Sequence, residues 1–468
     1  MIPMRNLQRT AVRRALVATL AFSAFIPPAL HGADAGELSA LREQLRLLEQ
    51  KILILERKQE LKDEAAAAAP KPPVATVTDG RIELASADGG TSLRLRGLVQ
   101  GDYRWYDAAN NPNDTFVLRR ARLIFEGRFN QLFSYVVQPE LAGTIQILDA
   151  NLNVAFSPAA NLRIGKFKTP VGLEQLQSDP VAFFNERSVA TNLTPNRDVG
   201  LALHGDVLNK TVNYTVALLN GVPDGGNNVT GGADFDADKT FAARVFATPF
   251  INAKNSPING LGIGLAVSVG DYATAAGRTG GYRTDGQQTF FAYDASVVAA
   301  GRGVTWSPQG YYYHGPLGIL AEYVGSAIEV QRPGFGVREV RNHGYNLSVG
   351  YVLTGEAASY RGVTPKTVFK PAAGTWGAFE LVGRIAGVDV DDAVFTGPAA
   401  GRLANPNTAA TKLTTYGLGL NWHLSRSVRA NFNLFKNEFD VAPGAAPAAN
   451  ALIADDETTF ISRVQVSF

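Results

Sequence analysis

Residues 457–468 read ETTFISRVQVSF and end the chain on an aromatic residue. In an extended segment, Phe460, Val464, Val466 and Phe468 lie on one face, because successive side chains of a strand alternate. A final strand that ends in an aromatic side chain is typical of outer-membrane β-barrels, in which it pairs with the first strand and places its ring at the membrane interface. The segment therefore predicts the closing strand of such a barrel.

Two earlier segments show the same alternation with a charged opposite face. In residues 92–106 the apolar and polar faces are Leu93, Leu95, Val99 and Tyr103 against Arg94, Arg96, Gln100, Asp102 and Arg104. In residues 116–128 they are Val117, Ala121, Leu123 and Phe125 against Arg120, Arg122, Glu126 and Arg128. We interpret the apolar face as lipid-facing and the arginine-rich face as the lining of a lumen.

Alternating segments of this kind number 16, at 92–106, 115–128, 132–142, 145–156, 161–168, 199–207, 211–219, 239–248, 260–270, 302–313, 317–330, 339–353, 376–390, 412–424, 428–440 and 457–468. Tight connections alternate with long ones rich in Gly, Asn, Asp and Pro, as periplasmic turns and outer loops do. We predict an all-β fold, a 16-stranded antiparallel transmembrane β-barrel. Residues 249–259 and 354–375 are long where short turns are expected, which leaves 18 strands as an alternative.

Residues 1–35 have the pattern of a secretory signal peptide. Four arginines precede an apolar run from Ala15 to Ile26, and Ala33-Asp34-Ala35 is a small-x-small cleavage site. The run is too short to span a bilayer, and no later stretch has the roughly 18 consecutive apolar residues of a transmembrane helix. We expect export, with the barrel in the bacterial outer membrane and the N-terminal segment in the periplasm.

Residues 36–64 predict a short α-helical coiled coil. Its apolar residues recur at alternating spacings of three and four, as in a heptad seam: Leu38, Leu41, Leu45, Leu48, Ile52 and Leu55. A lone helix at the periplasmic rim is the alternative, because so short a coil is marginal in water. Residues 65–79 are rich in alanine and proline and predict a linker, and residues 80–468 form the predicted barrel.

The composition agrees with this class. Among 468 residues there are 47 glycines and no cysteine, and the mean hydropathy of −0.03 excludes a polytopic helical membrane protein. The net charge is +2, and removing the leader with Arg5, Arg9, Arg13, Arg14 and Asp34 leaves 40 basic and 41 acidic residues. Any charge selectivity must therefore come from the positions of the charges.

The sequence contains no arrangement that indicates catalysis. The histidines beyond the leader, His204, His314, His343 and His423, are scattered, and no HExxH, CxxC or GxSxG motif occurs. We expect a protein that is not an enzyme, with no cofactor, no metal site and no nucleic-acid partner.

Several motifs occur in the order found in one porin family. They are Arg119-Arg120-Ala-Arg122, Asn161-Leu-Arg-Ile-Gly-Lys-Phe-Lys-Thr-Pro-Val-Gly-Leu-Glu174, Asn185-Glu186-Arg187, Leu353-Thr-Gly-Glu356, Trp376-Gly-Ala-Phe-Glu-Leu and Asn421-Trp422. Through them residues 90–468 resemble the phosphate-selective porin O/P family. The resemblance implies a homotrimer of 16-stranded barrels, with a third outer loop, residues 169–198, folded inward to narrow each pore.

The resemblance also implies which residues line the pore. Family positions for the paired strand arginines, the loop arginine and the acidic residue that tunes the constriction are matched by Arg119, Arg120, Arg187 and Asp149. Three basic family positions are Gln175, Leu98 and Ser134 here, which implies a broader anion preference than phosphate alone. The predicted pore-lining and anion-binding residues are Arg94, Arg96, Arg119, Arg120, Arg122, Asp149 and Arg187.

These features predict passive diffusion of small anions such as phosphate through a water-filled, arginine-lined pore in contact with outer-membrane lipid. One alternative is a general or sugar-type porin, in which Tyr312, or Tyr311 and Tyr313, point inward. Another is a structural barrel that tethers the outer membrane through its periplasmic coiled coil.

Overall fold

A computed structural model describes residues 35–68, 72–78, 81–228, 237–253, 255–273 and 279–468. The chain divides into two compact units, residues 1–71 and residues 72–468. The predicted signal peptide, apart from Ala35, lies outside the described residues.

The first unit contains helix α1, Ala35–Ala68. It extends to Ala68, within the predicted linker, because alanine has the highest helix propensity of all residues. The six apolar positions of the predicted seam are each between 49% and 64% exposed, so this chain alone leaves them uncovered and their pairing stays a prediction. None of the described helices is long and apolar enough to cross a membrane.

The second unit is a closed antiparallel barrel of 16 strands. The barrel strands are β3 (Ser92–Asp107), β4 (Thr115–Phe129), β5 (Phe133–Glu140), β6 (Gln146–Ser157), β7 (Ala160–Lys168), β8 (Arg197–Val207), β9 (Val212–Leu219), β10 (Thr240–Ala247), β11 (Leu261–Ala273), β14 (Val298–His314), β15 (Leu317–Gln331), β16 (Arg338–Val352), β17 (Ala378–Asp389), β18 (Lys412–His423), β19 (Val428–Asp440) and β20 (Glu457–Ser467). The alternative of 18 barrel strands is wrong. In residues 354–375 and the described part of 249–259 the chain forms turns, one short 3₁₀ helix and a single isolated bridge, and no barrel strand.

The closing strand pairs with β3 as predicted. Val466 lies opposite Val99, and Gly97 and Phe468 exchange backbone hydrogen bonds of 2.7 and 3.0 Å. The Phe468 ring occupies the space in which a Cβ of Gly97 would lie, so a larger residue there would displace the ring. Val99 is 44% exposed on the outer face, whereas Gln100 and Asp102 on the inner face are 0% and 2% exposed.

A hairpin of β1 (Val74–Thr78) and β2 (Arg81–Ala85) precedes the barrel. β2 pairs with the start of β3, where Ile82 lies opposite Leu95. It does so because β20 ends at the level of Gly97, which leaves the first residues of β3 as an unpaired edge. Part of the segment predicted as a linker therefore forms β-structure.

The loop after β7, residues 169–196, folds into the barrel and is called the constriction loop below. It contains helix α2 (Leu173–Leu176) and two 3₁₀ helices, Asp179–Val181 and Val189–Leu193. Its rings of Phe183 and Phe184 pack on Tyr313 and Phe435 of the barrel wall, with centroids 6.3 and 5.5 Å apart. This burial of aromatic surface fixes the loop against the β14–β20 side of the lumen.

The other long loops also fold over the β14–β20 side of the lumen. They contain the hairpin β12 (Gly281–Arg283) and β13 (Thr289–Ala292), and the 3₁₀ helices Pro371–Ala373, Asp392–Phe395, Ala399–Gly401 and Leu452–Ala454. Tyr282, Phe290 and Phe291 of the hairpin are at most 1% exposed and pack with Val394 and Leu403. The described loops therefore leave the passage on the opposite side, along β3–β8.

Candidate pore constriction

Two cavities meet at the constriction loop. The inner cavity, about 890 Å³, is lined by Phe468 and by Arg426 of the β18–β19 turn, and so lies on the side of the short connections. The outer cavity, about 350 Å³, is lined by Arg283 of the β12–β13 hairpin, on the side of the long loops. Arg122 and Arg197 line both cavities and mark the neck between them.

Arg119 and Arg120 both face the lumen because of a β-bulge. Gln100 of β3 lies opposite Arg120 and Gly101 lies opposite Leu118, so Arg119 is an extra residue. Between the start of β4 and the bulge, the positions that face the lumen and the positions that face outward are exchanged. Leu118 is accordingly 57% exposed on the outer face. The prediction that Val117 faces lipid is therefore wrong, since a sequence pattern of period two cannot register an inserted residue.

The two arginines converge on Glu186 of the constriction loop. Arg119 donates to its carboxylate at 2.7 and 2.9 Å, and Arg120 lies 3.7 Å away. Arg104 and Arg463 reach the same carboxylate at 3.2 and 2.8 Å. Burial raises the pKa of Glu186, but the charges of Arg119, Arg120 and Arg463 outweigh it and hold this pKa well below the ordinary value. Glu186 is thus ionised and matched by four arginines.

A second cluster forms around Asp179 of the same loop. Arg187 lies 2.7 Å from its carboxylate and Arg120 lies 3.5 Å from it. Arg122 pairs with Asp179 and, at 2.6 Å, with Glu140 of β5. Burial raises the pKa of Asp179, yet the charges of Arg120, Arg187 and Arg122 bring it well below the ordinary value. These ion pairs attach the loop to β4, whose Arg122 pairs in turn with β5.

Asp149 does not contact Arg119, Arg120 or Arg187, the arginines with which the family resemblance groups it at the constriction. Another bulge, between Gln138 and Pro139 of β5 and their partners on β6, precedes it. Its carboxylate accepts two hydrogen bonds of 3.1 Å from Arg197, a residue that sequence reasoning missed. Asp149 therefore compensates a charge at the neck.

Arg94 and Arg96 lie away from the neck, in the inner cavity. Both pair with Glu126 of β4, at 2.9 and 3.0 Å. The six predicted arginines are thus divided. Arg94 and Arg96 line the inner cavity, Arg119, Arg120 and Arg187 line the outer one, and Arg122 lines both.

Sequence reasoning also missed two cations of the inner cavity, Arg163 and Lys168. The Lys168 ammonium donates to the backbone carbonyls of Gln175 and Gln177 at 2.7 and 3.1 Å, and the Arg163 guanidinium lies 5.6 Å from the centre of the Phe167 ring. Within the described part of the chain, neither forms an ion pair with a carboxylate. Both belong to the 161–174 motif, whose basic residues are the signal in the sequence that indicates them.

The lining of both cavities is strongly basic. The charged residues around the inner cavity are Asp149 and Asp179 against Arg81, Arg94, Arg96, Arg122, Arg163, Lys168, Arg197 and Arg426. Those around the outer cavity are Glu140 and Glu186 against Arg119, Arg120, Arg122, Arg187, Arg197 and Arg283. Charges in a narrow lumen with low-dielectric walls produce a stronger field than the net charge of the protein suggests.

The tyrosines of β14 do not line either cavity. Tyr313 is 8% exposed, and Tyr311 stacks on Tyr360 with ring centroids 5.2 Å apart. Tyr312 donates its hydroxyl to the Pro257 carbonyl at 2.8 Å. An aromatic path of the kind expected in a sugar porin is therefore not formed by these residues.

A closed barrel of 16 strands, with a loop folded into a passage lined by charged side chains, defines a porin. A model of the family described as phosphate-selective porin O and P matches residues 93–452, and the chain belongs to that family of outer-membrane porins.

The chain is 24% identical to Porin O of Pseudomonas aeruginosa over 422 residues, which cover 84% of this chain and 92% of that protein. Among solved structures it is similar to the outer membrane channel DcaP of Acinetobacter baumannii, with a TM-score of 0.51 and 12% identity over 84% of this chain and 100% of that one. It is equally similar to an anion-selective porin from Comamonas acidovorans, with a TM-score of 0.51 and 12% identity over 81% and 100% of the two chains.

Proposed function

We propose that this protein is a porin through which small anions diffuse passively across the bacterial outer membrane, and that it is not an enzyme. The observation that carries the proposal is the excess of basic side chains around the two cavities, eight against two acids in the inner one and six against two in the outer one. A cation that is not matched by an acid attracts anions and repels cations at close range. In a narrow lumen this effect is screened less than on an open surface.

Arg119 and Arg120 also contribute to this field. They share the single carboxylate of Glu186 with Arg104 and Arg463, so its one negative charge cannot cancel theirs. Arg119 and Arg120 also hold the constriction loop, and the position of this loop sets the width of the passage.

We infer a broad anion preference, with phosphate as one of several solutes. Tight phosphate binding needs several converging donors that are not already occupied. At the neck, Arg122 and Arg197 are each paired with an acid, and Gln175 supplies an amide in place of a family lysine. A solute that is bound weakly can also leave quickly, as conduction requires.

Planar-bilayer recordings of the purified porin in a KCl gradient test the proposal. The reversal potential is expected to have the sign of a chloride-selective pore, and phosphate in place of chloride is expected to carry current. A cation-selective or unselective pore would contradict the proposal and favour a general porin. A barrel without conductance would favour the structural role.

We also propose that residues 1–35 are removed on export, that residues 36–64 lie in the periplasm, and that three copies assemble. The support is the leader pattern and the exposed apolar seam of α1. A solved OmpT structure of Vibrio cholerae, described as a trimer form, has a TM-score of 0.51 with this chain.

A further inference from the structure

The inner cavity has an apolar patch beside its cations. Leu98, Ile124 and Val136, from the adjacent strands β3, β4 and β5, line it together. Leu176 and Pro180 of the constriction loop line the same cavity. Such a patch costs free energy in a lumen filled with water, because apolar surface is hydrated unfavourably. A solute that covers the patch would gain that free energy on binding.

The outer cavity has no comparable patch. Among its lining residues in the described part of the chain, only Ala142 and Leu148 are apolar, and the rest are charged, polar or glycine. The two cavities therefore differ in kind. The outer one offers charge alone, whereas the inner one offers charge together with apolar surface.

We propose that the inner cavity is a binding subsite for organic anions that carry an apolar body, represented by a single-ring aromatic carboxylate. This inference rests on the proposed anion-porin function and specifies the solute class of its inner side. The carboxylate pairs with Arg163 or Lys168, which form no ion pair among the described residues, and charge-assisted hydrogen bonds of this kind are strong. The ring covers the patch at Ile124 and Val136, since Leu98 is only 3% exposed.

The size of the cavity agrees with this solute class. A volume of about 890 Å³ falls within the roughly 300–1,000 Å³ of sites that bind small organic molecules. Inorganic phosphate and acetate present almost no apolar surface. They can therefore pair with the cations of the cavity but cannot cover its apolar patch.

The test is block of chloride current in planar bilayers by benzoate, with acetate and benzyl alcohol as the matched anion and the matched neutral ring. We expect half-block by benzoate at a concentration roughly tenfold below that of acetate, since covering about 60 Å² of apolar surface gives about this factor. Benzyl alcohol should block less than benzoate, because it lacks the charge.

The variant Ile124→Thr plus Val136→Thr should lose the preference for benzoate over acetate while it keeps the reversal potential in KCl. Its matched control is Val137→Thr, which changes the neighbouring residue of β5 on the outer face, where Val137 is 38% exposed. Leu176→Ser, in the loop, provides a second variant in case the double substitution prevents barrel assembly.

Equal block by benzoate and acetate, with chloride selectivity intact, would overturn this inference and leave the proposed function standing. A preference that survives both the double variant and Leu176→Ser would overturn the assignment to this patch. If the parent protein were not selective for chloride, both proposals would be overturned.

Discussion

At the scale of single residues, selectivity depends on which cations form no ion pair with an acid. Replacing Arg163 and Lys168 by glutamine removes two basic side chains that form none among the described residues. We expect the chloride-to-potassium permeability ratio, obtained from the reversal potential in a KCl gradient, to fall by severalfold, since each charge in a narrow passage acts at short range.

Two further variants control this experiment. Arg128→Gln removes an exposed arginine near the β4–β5 turn and should leave the ratio unchanged, because water and salt screen its charge. Asp149→Asn uncovers the charge of Arg197 and should raise the ratio. If the Arg163 and Lys168 double variant kept the parent's reversal potential, the anion hypothesis would be wrong.

The sequence predicted which residue types line the pore better than how they pair. Alternation along β3 is sufficient to place Arg94 and Arg96 inside the barrel. The partners of Glu186 could not be predicted, because Arg463 and Arg119 come from distant parts of the chain. Such contacts depend on the course of the constriction loop, and no local pattern encodes that course.

At the scale of structural elements, alternation located the strands to within a few residues of their observed ends. It failed at the β4 bulge, where the extra residue Arg119 exchanges the two faces. It also missed the β1–β2 hairpin, whose two strands are too short to stand out from a region read as a linker.

The register also locates the membrane along β3. The Phe468 ring at Gly97 indicates one interface, so Leu95, opposite Ile82, lies beyond it. Val464 lies opposite Gly101, further into the barrel wall, and is 60% exposed on the outer face. We expect Val464→Arg to cost about 2–4 kcal/mol of folding free energy and Leu95→Arg about 0–1 kcal/mol. Urea unfolding in lipid vesicles measures both, and the reverse order would mean that the register is misplaced.

The constriction loop depends on its buried acids. Glu186→Gln removes the anion that four arginines share and leaves them partly uncompensated in the barrel. We expect a loss of about 3–5 kcal/mol of unfolding free energy, as for other broken buried ion pairs, together with noisier single-channel currents. Glu339→Gln is the control. Glu339 pairs with Arg341 on the exposed surface, where such pairs contribute about 0–1 kcal/mol.

The same contacts set the pH dependence of the loop. Because the pKa values of Asp179 and Glu186 are well below ordinary, their stabilisation is complete above the usual carboxyl pKa of about 4. It is lost only as the pH falls through the lower values of the folded protein. We expect Glu186→Gln to cause the same loss of unfolding free energy at pH 7 and at pH 4.5, and a smaller loss only in stronger acid, where Glu186 of the parent is itself protonated. A transition between pH 5 and 4 would show that these acids are not held as described.

At the scale of the whole molecule, α1 and the barrel wall are the two apolar surfaces through which copies of the chain can associate. The seam of α1 is exposed in a single chain, but three heptads provide too little burial to hold chains together in water. The barrel wall offers far more apolar surface, and closed symmetric oligomers bury the same patch on every copy. We therefore expect most of the association free energy to come from contacts between barrels.

Deletion of residues 36–71 separates these contributions, because it removes α1 and keeps the β1–β2 hairpin on β3. We expect the shortened porin to remain an SDS-resistant trimer that dissociates at a lower temperature than the parent, and to keep the parent's reversal potential, since the basic residues of both cavities belong to the second unit, which the deletion leaves intact. Substituting Leu41, Leu48 and Leu55 by serine in the full chain should lower the dissociation temperature by a similar amount, because it removes the seam and keeps the helix length. A clean monomer from the deletion would show instead that the coiled coil is the main determinant of assembly.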